Sequence, residues 1–220
     1  MTYTTLLIDV DETLYASSCG VWEAISKRME QYMHDRLNLT WDEIPALRRL
    51  LYQTYGTTLR GLQEKGPIDT RDFLDYVHDV PLDQLLQPDL ALRDVLERYA
   101  CQRRVIFTNG DRYHAGRVID RLQLAGCFDQ VIDIYDLAPY CKPMSEAFQI
   151  ALEKIGASSS AECVFVDDSP RNLTAARALG FFTIQVGQPK PGFSHPSVAA
   201  HAIIPRLHDL PAVLDPLMAA

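Results

Sequence analysis

The chain has 220 residues, enough for one large domain or for a core domain with a smaller one. Its 47% hydrophobic and 23% charged residues are ordinary for a globular protein and exclude a collagen-like or disordered chain. The net charge of −8, without a Lys/Arg run, argues against a nucleic-acid partner, because duplex-binding proteins present a basic face. Apolar runs too short to cross a bilayer and a start without a basic region predict no membrane partner and a cytoplasmic location.

The first predicted element is a strand over Thr5–Ile8, which is apolar on both faces, as a strand covered by helices on both sides is. Residues 15–88 follow and contain no convincing strand pattern. Amphipathic periodicity predicts three helices there: Val21–Leu37, Trp41–Tyr55 and Asp69–His78. We therefore expect an inserted helical segment over the carboxyl end of the first strand. We assign Trp22 and Trp41 to packing within it.

From residue 89 onward, strand and helix patterns alternate. Further strands are predicted at Val105–Phe107, Val131–Ile134, Cys163–Val166, Phe182–Val186 and Ala202–Ile204. Helices are predicted at Tyr113–Leu124, Met144–Ile155 and Pro170–Leu179, and Gly187–Ser197 is predicted to be an irregular connection. The alternation predicts an α/β fold, a doubly wound Rossmann-like parallel sheet. Residues 1–14 and 89–220 would form this core, and residues 15–88 an inserted α-helical cap domain.

Four polar clusters follow the predicted buried strands: Asp9-Val10-Asp11-Glu12-Thr13, Thr108-Asn109-Gly110, Lys142-Pro143 and Asp167-Asp168-Ser169. The carboxylates among them would crowd one crevice, and like charges that close require a cation. Oxygen ligands beside a phosphate favour Mg²⁺. Lys142 adds a positive group, and Thr108 adds a hydroxyl that can bind phosphate oxygens. The residues thus predict a magnesium-dependent phosphoryl site.

The order of these motifs resembles that of the haloacid dehalogenase superfamily: Asp-x-Asp-x-Thr, a strand ending in Thr-Asn, a lone Lys-Pro, and Asp-Asp-Ser-x-x-Asn. The resemblance implies that Asp9 attacks phosphorus and forms an aspartyl-phosphate. Asp11 would protonate the leaving oxygen and then deprotonate water. Thr108 would hold the phosphoryl oxygens, and Lys142 would neutralise Asp9 and the phosphoryl charge. Dehalogenase members lack an acid two residues after the nucleophile, so Asp11 favours phosphate chemistry.

The same resemblance implies the metal ligands. Mg²⁺ would be held by Asp9, by the backbone carbonyl of Asp11 and by Asp168. Asp167 would be a further ligand or an acceptor behind the ligands. The spacing of the motifs places the cap: 99 positions separate Asp9 from Thr108, whereas 34 separate Thr108 from Lys142. This spacing indicates the subclass with a helical cap after the first motif, which closes over the site and selects the leaving group.

A narrower resemblance lies in the helical segment. Leu51-Tyr52-Gln53-Thr54-Tyr55-Gly56, followed by Leu59-Arg60-Gly61-Leu62, resembles the pyrimidine 5′-nucleotidase group. This resemblance implies a small phosphorylated metabolite, a nucleoside 5′-monophosphate, as the substrate. Arg60 is the candidate for contacting it, with a solvated arginine or an ion pair within the cap as the alternative. Tyr55 either stacks on a base or belongs to the core, and Asn109 orients Asp11 or the phosphoryl group.

Other functions share these motifs. A phosphomutase would return the phosphoryl group to a sugar instead of passing it to water. A phosphatase for another small metabolite, such as a sugar phosphate or phosphoglycolate, would need no change in the motifs. A non-enzymatic phosphate-ligand sensor is less favoured, because Asp9, Asp11, Thr108, Lys142 and Asp168 are all present. For His114, near the phosphate loop, a catalytic role is the less favoured interpretation. The sequence specifies no oligomeric state.

Overall fold

The protein is described by a computed structural model over residues 3–100, 102–187 and 200–219. Its centre is a parallel sheet of six strands in the order β3-β2-β1-β4-β5-β6, which confirms the predicted doubly wound α/β class. The strands are β1 Thr5–Ile8, β2 Arg103–Phe107, β3 Gln130–Ile132, β4 Cys163–Asp167, β5 Phe182–Val186 and β6 Ala202–Ile204. β3 ends before the predicted Ile134, because the Asp133 side chain caps a helix that begins there. Most of the predicted connection Gly187–Ser197 lies outside the described residues.

The described residues between β1 and β2 form helices and loops without a strand. The helices there are α1 Val21–Leu37, α2 Ile44–Tyr55, α3 Thr58–Lys65, α4 Thr70–Val77, α5 Leu82–Leu85 and α6 Leu90–Arg98. The later helices are α7 Arg112–Arg121, α8 Ile134–Leu137, α9 Ser145–Ile155, α10 Pro170–Ala178 and α11 Leu210–Ala219. Short 3₁₀ turns occupy Ser17–Cys19, Ser160–Glu162 and Leu207–Asp209. None of the described helices has the length and apolar character needed to cross a membrane.

Different helices cover the two faces of the sheet, because successive strand residues point to opposite sides. In β1, Leu6 and Ile8 join one buried cluster and Leu7 joins the other. In β4, Val164 and Phe165 divide in the same way. The first cluster includes residues of α6, α7 and α11, and the second includes residues of α9 and α10. Strands buried on both faces explain why the apolar runs in the sequence are continuous rather than alternating.

The helical segment after β1 has a hydrophobic cluster of its own. Tyr32, Leu51 and Phe73, from three of its helices, are buried together there. Ile134 and Cys141, on the chain that leads to Lys142, complete the cluster from the sheet side. Another part of the same segment, Val80, Leu82 and Leu86 with the start of α1, packs in a cluster of the sheet. The segment is therefore anchored to the sheet at both of its ends.

Candidate active site

The carboxyl ends of the central strands meet at one edge of the sheet. Ile8 of β1 is paired in register with Ile106 of β2 and Val166 of β4. Asp9, directly after β1, donates its backbone N–H to the Val166 carbonyl at 3.0 Å. Asp167 ends β4, and Thr108 follows β2. Ligands of open α/β sheets bind at this edge, where the strand order reverses.

Lys142 lies in the middle of this edge and is almost completely buried, with its side chain 1% exposed. Its Nζ donates to Asp9 Oδ1 and Asp167 Oδ2, both at 2.8 Å, and to the Phe107 carbonyl at 2.7 Å. Burial alone would lower the pKa of Lys142, but the two carboxylates outweigh it and raise the pKa. The lysine is thus held as a cation between Asp9 and Asp167.

The negative charge of the cluster exceeds what one lysine neutralises. Burial raises the pKa of Asp9 well above its usual range; the charge of Lys142 opposes this shift, and the neighbouring aspartates add to it. Carboxylate oxygens of Asp9, Asp167 and Asp168 lie within 4.8 Å of one another. An all-oxygen donor set of this kind fits a hard divalent cation.

The three carboxylates differ in their contacts. Asp167 is fully buried, and both of its oxygens accept hydrogen bonds, at 3.1 Å from Asn172 and at 2.8 Å from the Ser169 N–H and from Lys142. These contacts are typical of a carboxylate that lies behind metal ligands and accepts hydrogen bonds, and less typical of a metal ligand that faces the cleft. Asp9 and Asp168 both line the cleft above the sheet edge.

Asp11 also lines the cleft, and its carboxylate is held by two side chains from different elements. The Tyr15 hydroxyl donates to Oδ1 at 2.5 Å, and His114 Nε2 lies 2.8 Å from the same oxygen. Burial raises the pKa of Asp11, but the charge and hydrogen bond of His114 and the hydrogen bond of Tyr15 outweigh it and lower the pKa to about 2. For His114 the balance is opposite in sign: burial lowers its pKa, and Asp11 raises it by more.

Thr108 and Asn109 both line the cleft, but their contacts differ. The Thr108 hydroxyl oxygen accepts the Gly110 N–H at 3.0 Å and can still donate to a ligand. The Asn109 amide pairs with the backbone of Lys142 in both directions, accepting at 2.8 Å and donating at 2.9 Å. Asn109 therefore fixes the loop that carries Lys142.

A cavity of about 500 Å³ lies between this edge and the helical segment. On the helical side it is lined by residues that include Trp22, Met29, Arg49, Tyr52, Phe73 and Val77. Trp22, which was assigned to packing within the segment, is 38% exposed and also lines the cavity. Trp41 is exposed on the surface and stacks on His34.

The structure does not bring Arg60 and Tyr55 to the cavity. Arg60 is buried, and its guanidinium donates to the carbonyls of Ile134 and Tyr140, at 2.9 and 3.1 Å, and to Gln63. Tyr55 ends α2, and its carbonyl accepts from the thiol of Cys141. The tyrosine and arginine motif thus docks the α2–α3 corner on the loop before Lys142. In the sequence, the glycine at position 56 was a signal for this close contact. In the structure, a Cβ at Gly56 would lie 2.8 Å from the Lys142 carbonyl.

Three groups were missed or undervalued in the sequence. Tyr15, four residues after Asp11, carried no recognisable motif. His78, whose ring stacks on the ring of His114, comes from a distant part of the chain, and Asp111 binds the backbone N–H of His114 and the ring of His78. Asp111 and His114 have the spacing of a helix N-cap, but no spacing links them to Tyr15 or His78, so only the folded chain reveals these residues as one group.

Comparisons with known proteins show the family and the fold of the chain. The sequence model of the haloacid dehalogenase-like hydrolases matches residues 3–180. Phosphate metabolism protein 8 of Saccharomyces cerevisiae is 30% identical over 187 residues, an alignment that covers 78% of this chain. The chain spans 58% of the length of that yeast relative.

Solved structures with the same fold share little sequence. Magnesium-bound YfnB of Bacillus subtilis has a TM-score of 0.65 at 18% identity, covering 98% of this chain and 100% of that one. L-2-haloacid dehalogenase of Xanthobacter autotrophicus has a TM-score of 0.60 at 19% identity, covering 97% and 99%. These similarities concern the fold alone. With the family match over most of its length, this chain belongs to the haloacid dehalogenase-like hydrolase family.

Proposed function

We propose that the protein is a Mg²⁺-dependent phosphate monoester hydrolase that works through an aspartyl-phosphate on Asp9. The observation that carries this proposal is the position of Lys142, which joins Asp9 to Asp167 beside Asp168 at the strand switch point. Asp9 would hold Mg²⁺ together with Asp168 and the carbonyl of Asp11, with Asp167 behind them. Bound there, the cation would neutralise charge on the phosphoryl oxygens.

The residues of the chain divide the reaction between them. Asp9 forms a bond to phosphorus while the bond from phosphorus to the leaving oxygen breaks. Asp11 gives that oxygen a proton and later takes one from the attacking water. A phosphate dianion in the cleft raises the pKa of Asp11, because like charges disfavour the ionised acid. Lys142 and the Thr108 hydroxyl hold the phosphoryl oxygens.

We further propose that residues 15–88 act as the cap and that the substrate is a nucleoside 5′-monophosphate. The cavity of about 500 Å³ is large enough for a nucleoside, and Trp22 and Tyr52 offer aromatic surface at its wall. Arg49, also at the wall, adds a cation on the side opposite the aspartates. The resemblance of the tyrosine and arginine motif to pyrimidine 5′-nucleotidases points to the same substrate class.

A phosphate-release screen tests the proposal. Purified protein is assayed with nucleoside monophosphates, sugar phosphates and p-nitrophenyl phosphate, in Mg²⁺ and in EDTA. We expect Mg²⁺-dependent release that is fastest for a nucleoside 5′-monophosphate, and no turnover by Asp9→Asn, which keeps an oxygen acceptor for Lys142 and therefore the fold. Wild-type activity in Asp9→Asn would disprove the covalent mechanism. Transfer to a second sugar, without phosphate release, would identify a phosphomutase instead.

A further inference from the structure

Both hydrogen bonds to the Asp11 carboxylate go to the same oxygen, Oδ1. The Tyr15 hydroxyl and His114 Nε2 both contact Oδ1, and among the described residues no hydrogen-bond partner lies at Oδ2. An oxygen that already accepts two donors cannot also carry the acid proton without losing one of them. The proton of the neutral acid therefore belongs on Oδ2, the oxygen that the protein leaves open to the cleft.

The ring of His114 is held firmly for this contact. It is 1% exposed and stacks on His78 with ring centres 4.1 Å apart and planes 14° from parallel. Asp111 aligns the two residues. Its Oδ1 accepts the backbone N–H of His114 at 2.8 Å, and its Oδ2 lies 2.6 Å from Nδ1 of the His78 ring. Position and tilt of the imidazole are thus set by groups that do not line the cleft themselves.

The second nitrogen of the His114 ring contributes no hydrogen bond to the described part of the fold. Nδ1 is buried and lacks a hydrogen-bond partner among the described residues. A buried polar atom without a partner costs about 1–3 kcal/mol, a cost that the contact of Nε2 with Asp11 can offset. Asp11 is the one hydrogen-bond partner of the ring among the described residues. The contact with Asp11 therefore accounts for a histidine at this position.

We propose that His114 and Tyr15 are positioning residues that turn Asp11 so that Oδ2 faces the leaving oxygen. The inference rests on the proposed phosphatase mechanism. As the bond from phosphorus to the leaving oxygen breaks, its electron pair stays on that oxygen, which takes the proton from Oδ2. In the second step water forms the new bond to phosphorus and gives its proton to Oδ2. The bond between phosphorus and Asp9 then breaks, and both aspartates are restored.

Comparing esters with different leaving groups distinguishes a loss of positioning of the Asp11 acid from general damage to the active site. p-Nitrophenolate departs as a stable anion, whereas the 5′-oxygen of uridine monophosphate needs a proton. The value of kcat/KM covers only steps up to loss of the leaving group, so slower hydrolysis of the aspartyl-phosphate does not affect it. The variants are Tyr15→Phe, His114→Ala and His114→Gln, whose amide nitrogen can replace Nε2. Tyr99→Phe is the matched control, because the Tyr99 hydroxyl bonds Asp215, far along the chain from these motifs.

We expect Tyr15→Phe and His114→Ala to lower kcat/KM for uridine monophosphate by about 10²-fold, with a much smaller loss for p-nitrophenyl phosphate. His114→Gln should recover part of the loss, and Tyr99→Phe should match the wild type on both esters. The variants should also release a burst of p-nitrophenolate, because Asp11 is needed again to activate water. Thermal unfolding midpoints identify any variant that folds poorly. Tyr15→Phe removes only the hydroxyl and keeps the ring, so this variant should fold like the wild type.

Two results overturn the inference alone: equal losses of kcat/KM on both esters, which indicate general structural damage, or unchanged activity on uridine monophosphate. A wild-type protein that releases phosphate from neither ester overturns the proposed function, and the inference with it. The wild-type assay therefore distinguishes the two failures.

Discussion

Replacing Lys142 by methionine tests whether the buried cluster is the ion pair that the structure describes. Methionine fills the space against the rings of Phe107 and Phe165, which lie 5.1 and 5.3 Å from Nζ, but removes the charge. Asp9 and Asp167 then lose a donor that is 2.8 Å from each. Breaking a buried pair by removing one partner costs about 3–5 kcal/mol, because the remaining charge stays buried without compensation.

We therefore expect Lys142→Met to lower the free energy of unfolding by about 3–5 kcal/mol, measured by urea denaturation at pH 7 in EDTA. Adding Asp167→Asn should restore more than half of that loss, because the amide needs no counter-charge. Lys154→Met is the matched control. Its partner is Asp136, its side chain is 37% exposed, and solvent screening limits its loss to less than about 1 kcal/mol.

Mg²⁺ should reduce the stability loss of Lys142→Met, because a cation at Asp9 and Asp168 supplies part of the missing positive charge. Phosphate release should still fall by at least about 10²-fold, since the lysine also holds the transferring oxygens. A stability loss under about 1 kcal/mol in EDTA, equal to that of the surface control, would refute the description of Lys142 as a buried cation paired with Asp9 and Asp167.

Two further predictions concern residues around the cluster. Arg60→Gln frees the carbonyl of Ile134 in α8 and that of Tyr140 in the loop before Lys142. The value of kcat should therefore fall by the same factor for nucleotide and aryl esters with little change in KM, while the exposed Arg71→Gln has no effect. A rise of KM for nucleotides alone would show that Arg60 binds substrate. For Asp111, burial raises the pKa, but the hydrogen bond and charge of His78 lower it to about 2. Because this folded-state pKa lies below the unfolded value, the stabilisation is complete above about pH 4 and is lost as pH falls toward 2. Asp111→Asn, which keeps the helix cap, should thus cost about 2 kcal/mol in urea unfolding at pH 7 and almost nothing near pH 2; an equal cost at both pH values would contradict the assignment.

Much of the core followed from local patterns in the sequence. The apolar runs at Thr5–Ile8, Phe182–Val186 and Ala202–Ile204 became strands with the same bounds. The first two are buried on both faces, which favours continuous apolar residues, whereas Ile203 of the edge strand is exposed. Val21–Leu37 likewise became a helix with the predicted bounds. Helices without a strong signal, such as Thr58–Lys65 and the four-residue Leu82–Leu85, were missed. α3 contains Gly61 and is followed directly by Gly66, and these glycines weaken a short helical pattern.

The meeting of the four polar motifs was also predictable from the sequence, since polar residues after parallel strands must meet at one edge of the sheet. The direction of each side chain in the helical segment could not be predicted from the sequence. The guanidinium of Arg60 and the indole of Trp22 sit on the same segment, yet one turns to backbone carbonyls of the sheet domain and the other to the cavity. Likewise, His114 reaches Asp11 across 103 positions of the chain. Periodicity reports which face of an element is apolar, whereas the partner of a polar side chain depends on segments far apart in sequence, and only the packed tertiary structure decides it.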